Sequence, residues 1–347
     1  MKYFWFIVIF VLSSISALTQ GIPTYYNNVN LNLTGIPLKT ELSNKISSTH
    51  TTTLTYSQVW DVLKQADINP VNSQNVLLIY GWNDSNADIT DDLNRDKELN
   101  GGNTGDWNRE HTFAKSLATP DLGTSGPGAD AHNLRASDVQ RNGSRGNKKF
   151  ASGTGQASGT IGANWYPGDD WRGDVARILM YMYLRYQNQC KPSAVTVGNP
   201  VGIDLNMVDL LLNWNAEDPP GPFEDNRNNK IFENQGNRNP FIDNPYLATL
   251  IWGGTPAQNR WSLFVDDFEL NDFNIYPIPT YSNSIFIYHN SSVNIKSVEI
   301  YSLNGQKIEV TMNTVPSTIT LSNIPTGMYL LKIYALNGVL NRRIVVK

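Results

Sequence analysis

Asp106-Trp107-Asn108-Arg109-Glu110-His111-Thr112-Phe113 is the stretch on which the rest of this chain turns. It sets a carboxylate directly beside an imidazole. Downstream, the segment from Asp130 to Phe150 carries amides and cations at helix-like intervals. A carboxylate and an amide oxygen suit a hard divalent cation such as Mg²⁺. A neutral histidine next to them can serve as general base. Flanking Arg and Lys side chains would hold a polyanion across the pair, which is what metal-assisted phosphodiester hydrolysis needs.

The local pattern says how these groups meet. Arg109 to Phe113 reads as a strand or its end. Side chains alternate along a strand, so Glu110 and His111 reach one centre only if the backbone kinks or stops there. Residues 117 to 129, with Pro120, Gly123, Gly126, Pro127 and Gly128, read as a loop. A second strand over 131–134 and a helix opening at 137–142, capped by Ser137, would bring Asn142 back over the first strand. On this reading Glu110 and Asn142 hold one cation, Mg²⁺ with Ca²⁺ or Mn²⁺ as substitutes. His111 takes the proton of the attacking water, a contribution of roughly 10²–10⁴-fold. Arg145 is assigned to catalysis. Asn133, Arg141, Asn147 and Arg238 are assigned to substrate, with Arg109, which is open between an ion pair and a phosphate contact. His132 is read as structural. Because water is the nucleophile, both DNA and RNA are candidate substrates.

Charge and length frame that site. The chain has 347 residues and a formal net charge of −4, which does not advertise a nucleic-acid binder. A binding groove is local, however, and Arg135, Arg141, Arg145, Lys148 and Lys149 face only Asp138 between residues 132 and 149. Residues 1–20 read as a secretory signal peptide: Lys2, an apolar run from Tyr3 to Leu12, then small residues. The run is far below the roughly 20 residues of a membrane span, so no stable span is expected. Cys190 is the sole cysteine, which rules out an intramolecular disulfide.

Along the chain, 21–50 reads as a lead-in with little regular structure. Tyr56 to Ala66 has helical periodicity with Thr55 or Ser57 as cap, and Val76 to Tyr80 reads as a buried strand. Gly173 to Tyr186 is the strongest helix, with Val175, Ile178, Leu179, Met182 and Tyr186 in a stripe. Met207 to Trp214 is a short helix, Gln235 to Asp243 a packed turn, and Tyr246 to Trp252 closes the unit. An acidic linker over 263–272 leads to strand-like runs from Phe273 to Val346, a small all-β sandwich. The expected division is 1–20, 21–262, 263–272 and 273–347, an α+β unit followed by an all-β one, in a monomer.

At these residues the sequence resembles a known family. Asn108 to His111, Asp130 to Leu134, Asn142 to Asn147, Gly173 to Arg177 and Gln235 to Asp243 look like bacterial endonuclease I, a secreted or periplasmic nonspecific nuclease. The resemblance covers about residues 50 to 255. It implies a His-Me finger (ββα-metal) site, with His111 as general base, Glu110 and Asn142 as Mg²⁺ ligands, and products bearing 5′-phosphate. The family position after Asn133-Leu134 often reads Xaa-Pro, whereas here it is Arg135-Ala136. Tyr276 to Thr280, Val298 to Gly305 and Ile324 to Tyr329 resemble the C-terminal sorting domain of the type IX secretion system, with Ile278 where an Asn is usual. That implies passage across the outer membrane and contact with the secretion machinery. A zinc protease is disfavoured, since no His-Glu-Xaa-Xaa-His occurs. The alternative is a secreted nucleic-acid or glycan-binding adhesin that uses Trp107, Trp165 and Trp171 as stacking platforms.

Overall fold

The computed structural model describes residues 21–261 and 273–347, apart from 290–294, 303 and 336–337. The expected signal peptide and acidic linker lie outside the described residues. The first unit begins with a helix, α1 (Gly35–Thr49), where the sequence suggested irregular chain. Its polar composition hides Leu38, Leu42 and Ile46, which recur every four residues and are fully buried. The next helix, α2 (Val59–Ala66), is led in by a turn that Thr55 and Gln58 close reciprocally. Thr55 Oγ1 accepts from Gln58 N at 3.2 Å while Gln58 Oε1 accepts from Thr55 N at 2.8 Å.

Three short strands follow as one antiparallel sheet: β1 (Ile68–Asn69), β2 (Asn72–Leu77) and β3 (Asn94–Asp96). The apolar run Val76 to Tyr80 is therefore only half a strand. Leu78, Ile79 and Tyr80 are fully buried but leave the ladder, and Tyr80 sits at φ 75°. That turn aims the Tyr80 ring at the site.

β4 (Trp107–His111) pairs antiparallel with β5 (Leu134–Asp138), His111 opposite Leu134 and Trp107 opposite Asp138. The second strand thus starts three residues later than its sequence suggested, after a turn at Ala131 to Asn133. A helix, α3 (Val139–Arg145), follows without a break. Its cap is Asp138, not Ser137: the Asp138 carboxylate accepts from Arg141 N at 2.8 Å, while Ser137 remains in β5.

The core is organised around α4 (Arg172–Tyr186), buried on every side from Gly173 to Leu184 rather than along one stripe. The helix Asp209–Glu217 packs beside it, and the helix Pro222–Gln235, which its mixed charge concealed, packs against α2. Charges in this interior are paired, as burial demands. Arg135 meets Asp67 at 3.2 Å and Asp174 at 2.7 Å, Asp67 also accepts from Ala136 N at 2.7 Å and from Arg227, and Arg177 donates to Glu224 at 2.8 Å. These contacts fasten β5 to α2 and to the 222–235 helix.

Residues 273–347 form two four-stranded antiparallel sheets around Ile285, Ile287, Ile300, Leu321, Leu331, Ile333 and Ile344, the all-β arrangement expected. Among the described residues no helix is long and apolar enough to cross a membrane.

One buried residue makes stability depend on pH. Burial pushes the His132 imidazole down to about 3, against the pull of Asp130 beside it. Unfolded, the same ring protonates near its ordinary value of about 6.5. Between those values the unfolded chain binds a proton that the folded chain refuses, so stability falls as pH drops through that window. Measured against a His132→Asn variant, the unfolding temperature of wild type is expected to decrease from about pH 7 to pH 4. Over the same range NMR of the folded protein should show the His132 ring still neutral.

Candidate active site

The site forms where β4 ends. In a strand the side chains of Asn108 and Glu110 share one face, and α3 lies over that face. Asn142 and Arg145, three residues apart and so on one side of α3, reach down to them. Asn142 Nδ2 donates to Asn108 Oδ1 at 2.7 Å, and Arg145 Nη1 donates to Glu110 Oε1 at 2.9 Å. The same guanidinium donates to the carbonyls of His111 at 2.8 Å and Thr112 at 2.9 Å, which caps the strand just past its last paired residue.

These bonds decide which atoms remain for chemistry. Tyr80 Oη also donates to Glu110 Oε1, at 2.9 Å, so both side-chain partners use one oxygen and Oε2 has neither. The bond to Asn108 turns the Asn142 amide so that its Oδ1 carries none of that load. His111 Nε2 lies 2.8 Å from the carbonyl of Gly128. A carbonyl only accepts, so Nε2 carries the proton and Nδ1 of the neutral ring is the basic nitrogen. Burial, with Lys115 and Arg109 nearby, pushes the imidazole down to about 4, so it is neutral at pH 7. Burial raises the Glu110 carboxyl, with Arg145 and Tyr80 pulling it back. The Tyr56 ring stacks on His111 with centroids 5.6 Å apart, and the Arg109 guanidinium lies 3.5 Å from the centre of the Tyr56 ring and 4.1 Å from that of Trp60.

Glu110, His111 and Asn142 open into one cleft of about 440 Å³, with Arg109, Lys115, Ser116, Asp121 and Asn147 also on its walls. The family model described as Endonuclease I matches residues 34–246. The extracellular ribonuclease of Bacillus subtilis (strain 168) is 44% identical over 240 residues, 66% of this chain and 78% of its own length. The extracellular ribonuclease of Bacillus amyloliquefaciens is 42% identical over 241 residues, with the same coverage. This chain belongs to the endonuclease I family. The model described as a secretion system C-terminal sorting domain matches residues 274–347, which places this endonuclease I relative outside the cell or at its surface as a secreted nuclease.

Not every residue picked from the sequence of this family member reaches the cleft. Arg145 is fully buried and spends its bonds on the strand end, so it positions Glu110 and cannot touch a phosphate. Asn133 is fully buried too: its amide accepts from Phe113 N at 2.7 Å and donates to Phe113 O at 3.2 Å, which locks the turn after His111. Arg238 is engaged with Asp243 at 2.8 and 2.7 Å, and Arg141 with the Thr90 carbonyl at 2.9 Å, and neither lines the cleft. Arg109 and Asn147 do. Trp107, Trp165 and Trp171 are 0%, 1% and 4% exposed, so the adhesin alternative loses its stacking platforms.

Sequence reading passed over Tyr80, Asn108, Tyr56, Lys115 and the Gly128 carbonyl. Asn108 had a signal, since it shares the Glu110 face of a strand. Tyr56 and Trp60 sit four apart on a helical period. For Tyr80 and Gly128, distant in the chain, no local signal exists.

Among the described residues no group of three or more His, Cys, Asp or Glu gathers as for a metal. The donor pair here is nonetheless of the right kind: a carboxylate oxygen and an amide oxygen in one cleft suit a hard cation that keeps several waters. Removing the clamp is the direct check on this geometry. Arg145→Met leaves Glu110 buried without its cation and strands two carbonyls, and is expected to cost about 3–5 kcal/mol of stability by urea unfolding. A loss below about 1 kcal/mol would show that the clamp is not what holds α3 to β4.

Proposed function

We propose that this chain is a metal-dependent endonuclease without sequence preference, which hydrolyses phosphodiester bonds in both DNA and RNA to products with 5′-phosphate. The observation that carries this reading is a neutral imidazole, its Nε2 tied to Gly128, in the same cleft as the Glu110 carboxylate and the Asn142 amide. On this account His111 Nδ1 accepts a proton from water as the water oxygen attacks phosphorus. The bond from phosphorus to the 3′ oxygen breaks, that oxygen takes a proton from solvent, and the phosphate stays on the 5′ side. Glu110 and Asn142 would hold the divalent cation, Mg²⁺ with Ca²⁺ or Mn²⁺ as substitutes, which supplies charge stabilisation at the phosphoryl oxygens.

The order β4, β5, α3 around these residues supports a His-Me finger (ββα-metal) reading of the site. Water as nucleophile makes no use of a ribose 2′-hydroxyl, which is why DNA is included beside the RNA that the relatives' names imply. We further propose 21–262 as the catalytic module of a monomer, 263–272 as linker, and 273–347 as the module read by the secretion machinery.

Supercoiled DNA and a structured RNA are both expected to be degraded in Mg²⁺ and left intact in EDTA. His111→Ala should fold normally by circular dichroism and lose activity by roughly 10²–10⁴-fold. Unchanged cleavage by folded His111→Ala would remove the general base from the account.

A further inference from the structure

Catalysis on a phosphodiester needs a cation against the oxygens where charge accumulates, and the cations around this cleft are unequally available. Arg145 is sealed inside. Arg141 lies over Trp82, 4.5 Å from the ring centre, and is bonded to the Thr90 carbonyl. Lys148 Nζ donates to Ser144 O at 2.5 Å, and Lys149 Nζ to Ser193 O at 3.2 Å. Arg109 lines the cleft but is pinned between the Tyr56 and Trp60 rings, with Nη1 donating to the Tyr56 carbonyl.

Lys115 differs from all of these. It lines the cleft, is half-buried, and among the described residues its ammonium makes no hydrogen bond or ion pair. Its backbone is held in place, since the Lys115 carbonyl accepts from Ala118 N at 3.2 Å and from Leu122 N at 3.3 Å. Asp121, the other carboxylate on the cleft wall beside Glu110, accepts from Gly123 N at 2.7 Å and makes no ion pair with Lys115. The Lys115 charge is felt at the imidazole, where it helps to hold His111 neutral. Part-burying an ammonium without a counter-ion is unfavourable, and an incoming phosphate relieves that cost.

We propose that Lys115 is a catalytic residue whose ammonium binds a non-bridging oxygen of the scissile phosphate. This rests on the nuclease reading above and assigns to a lysine four residues past the base the part of electrostatic clamp. Negative charge on that oxygen grows as the water bond forms, so the contact is stronger in the transition state than with bound substrate. It therefore acts on kcat more than on KM.

The test compares wild type with Lys115→Met and Lys115→Gln, each shown to be folded by its unfolding temperature, on one DNA oligonucleotide in Mg²⁺. The expected result is a fall in kcat on the order of 10²-fold in both variants, KM within a few-fold, and partial recovery in Lys115→Arg. A separate readout needs no turnover. In the His111→Ala background, adding Lys115→Met should reduce the slope of log affinity against log salt by about 0.7–0.9, one phosphate contact. A kcat within about twofold of wild type in the folded variants would overturn the proposal, as would an effect confined to KM. If wild type itself does not cleave, the nuclease reading fails instead, and an unchanged salt slope would then also remove Lys115 from phosphate contact.

Discussion

The buried guanidinium of Arg145 joins the helix that carries Asn142 to the strand that carries Glu110 and His111, through bonds to Glu110 Oε1 and to the carbonyls of residues 111 and 112. A helix of seven residues has little stability of its own, so α3 depends on such tertiary anchors for its position. A buried ion pair contributes little net stability compared with apolar packing, but losing one partner is costly. Its value here is geometric. The cation is satisfied only when the end of β4 and the end of α3 lie together, and that juxtaposition makes the cleft.

Around this anchor each of the three groups proposed for the chemistry is oriented by one further partner. Tyr80 shares the oxygen that Arg145 uses on Glu110, Asn108 turns the Asn142 amide, and the Gly128 carbonyl selects the His111 tautomer. These partners come from a tight turn after β2, from β4 itself, and from the loop before β5. Behind them, the buried Asp67, Arg135 and Arg227 charges tie β5, the partner strand of β4, to the end of α2 and to the 222–235 helix. Dipoles fixed before substrate arrives need no reorganisation during reaction. That is the physical link between this interior and hydrolysis.

How much of this was legible in the sequence follows from the range of each interaction. Glu110, His111 and Asn142, which line one cleft, are the residues whose type and spacing suggest a shared chemistry from the sequence alone. The strand ending at His111 followed from the alternation rule, and the C-terminal sandwich from its short strands and turns. Local pattern failed where a tertiary contact decided the outcome. Helix α1 carries its three buried apolar residues in a polar background, and the cap that Ser137 suggests is provided by the neighbouring Asp138. Arg145, Asn133, Arg141 and Arg238 have side chains that suit phosphate binding. Their full or partial burial and their protein partners, which put them in the scaffold, depend on residues between 5 and 51 positions away.

Export fits a chain whose described residues rely on paired interior charges and on three apolar clusters, since its one cysteine, buried after the end of α4, cross-links nothing. The account stands on a single convergence, that the Glu110 carboxylate and the Asn142 amide oxygen contact the same ion. Anomalous diffraction from crystals of the His111→Ala protein grown with Mn²⁺ measures this directly. The account predicts one strong peak in the cleft within bonding distance of both oxygens. A peak bound by neither, or by Glu110 without the Asn142 amide oxygen, would contradict it.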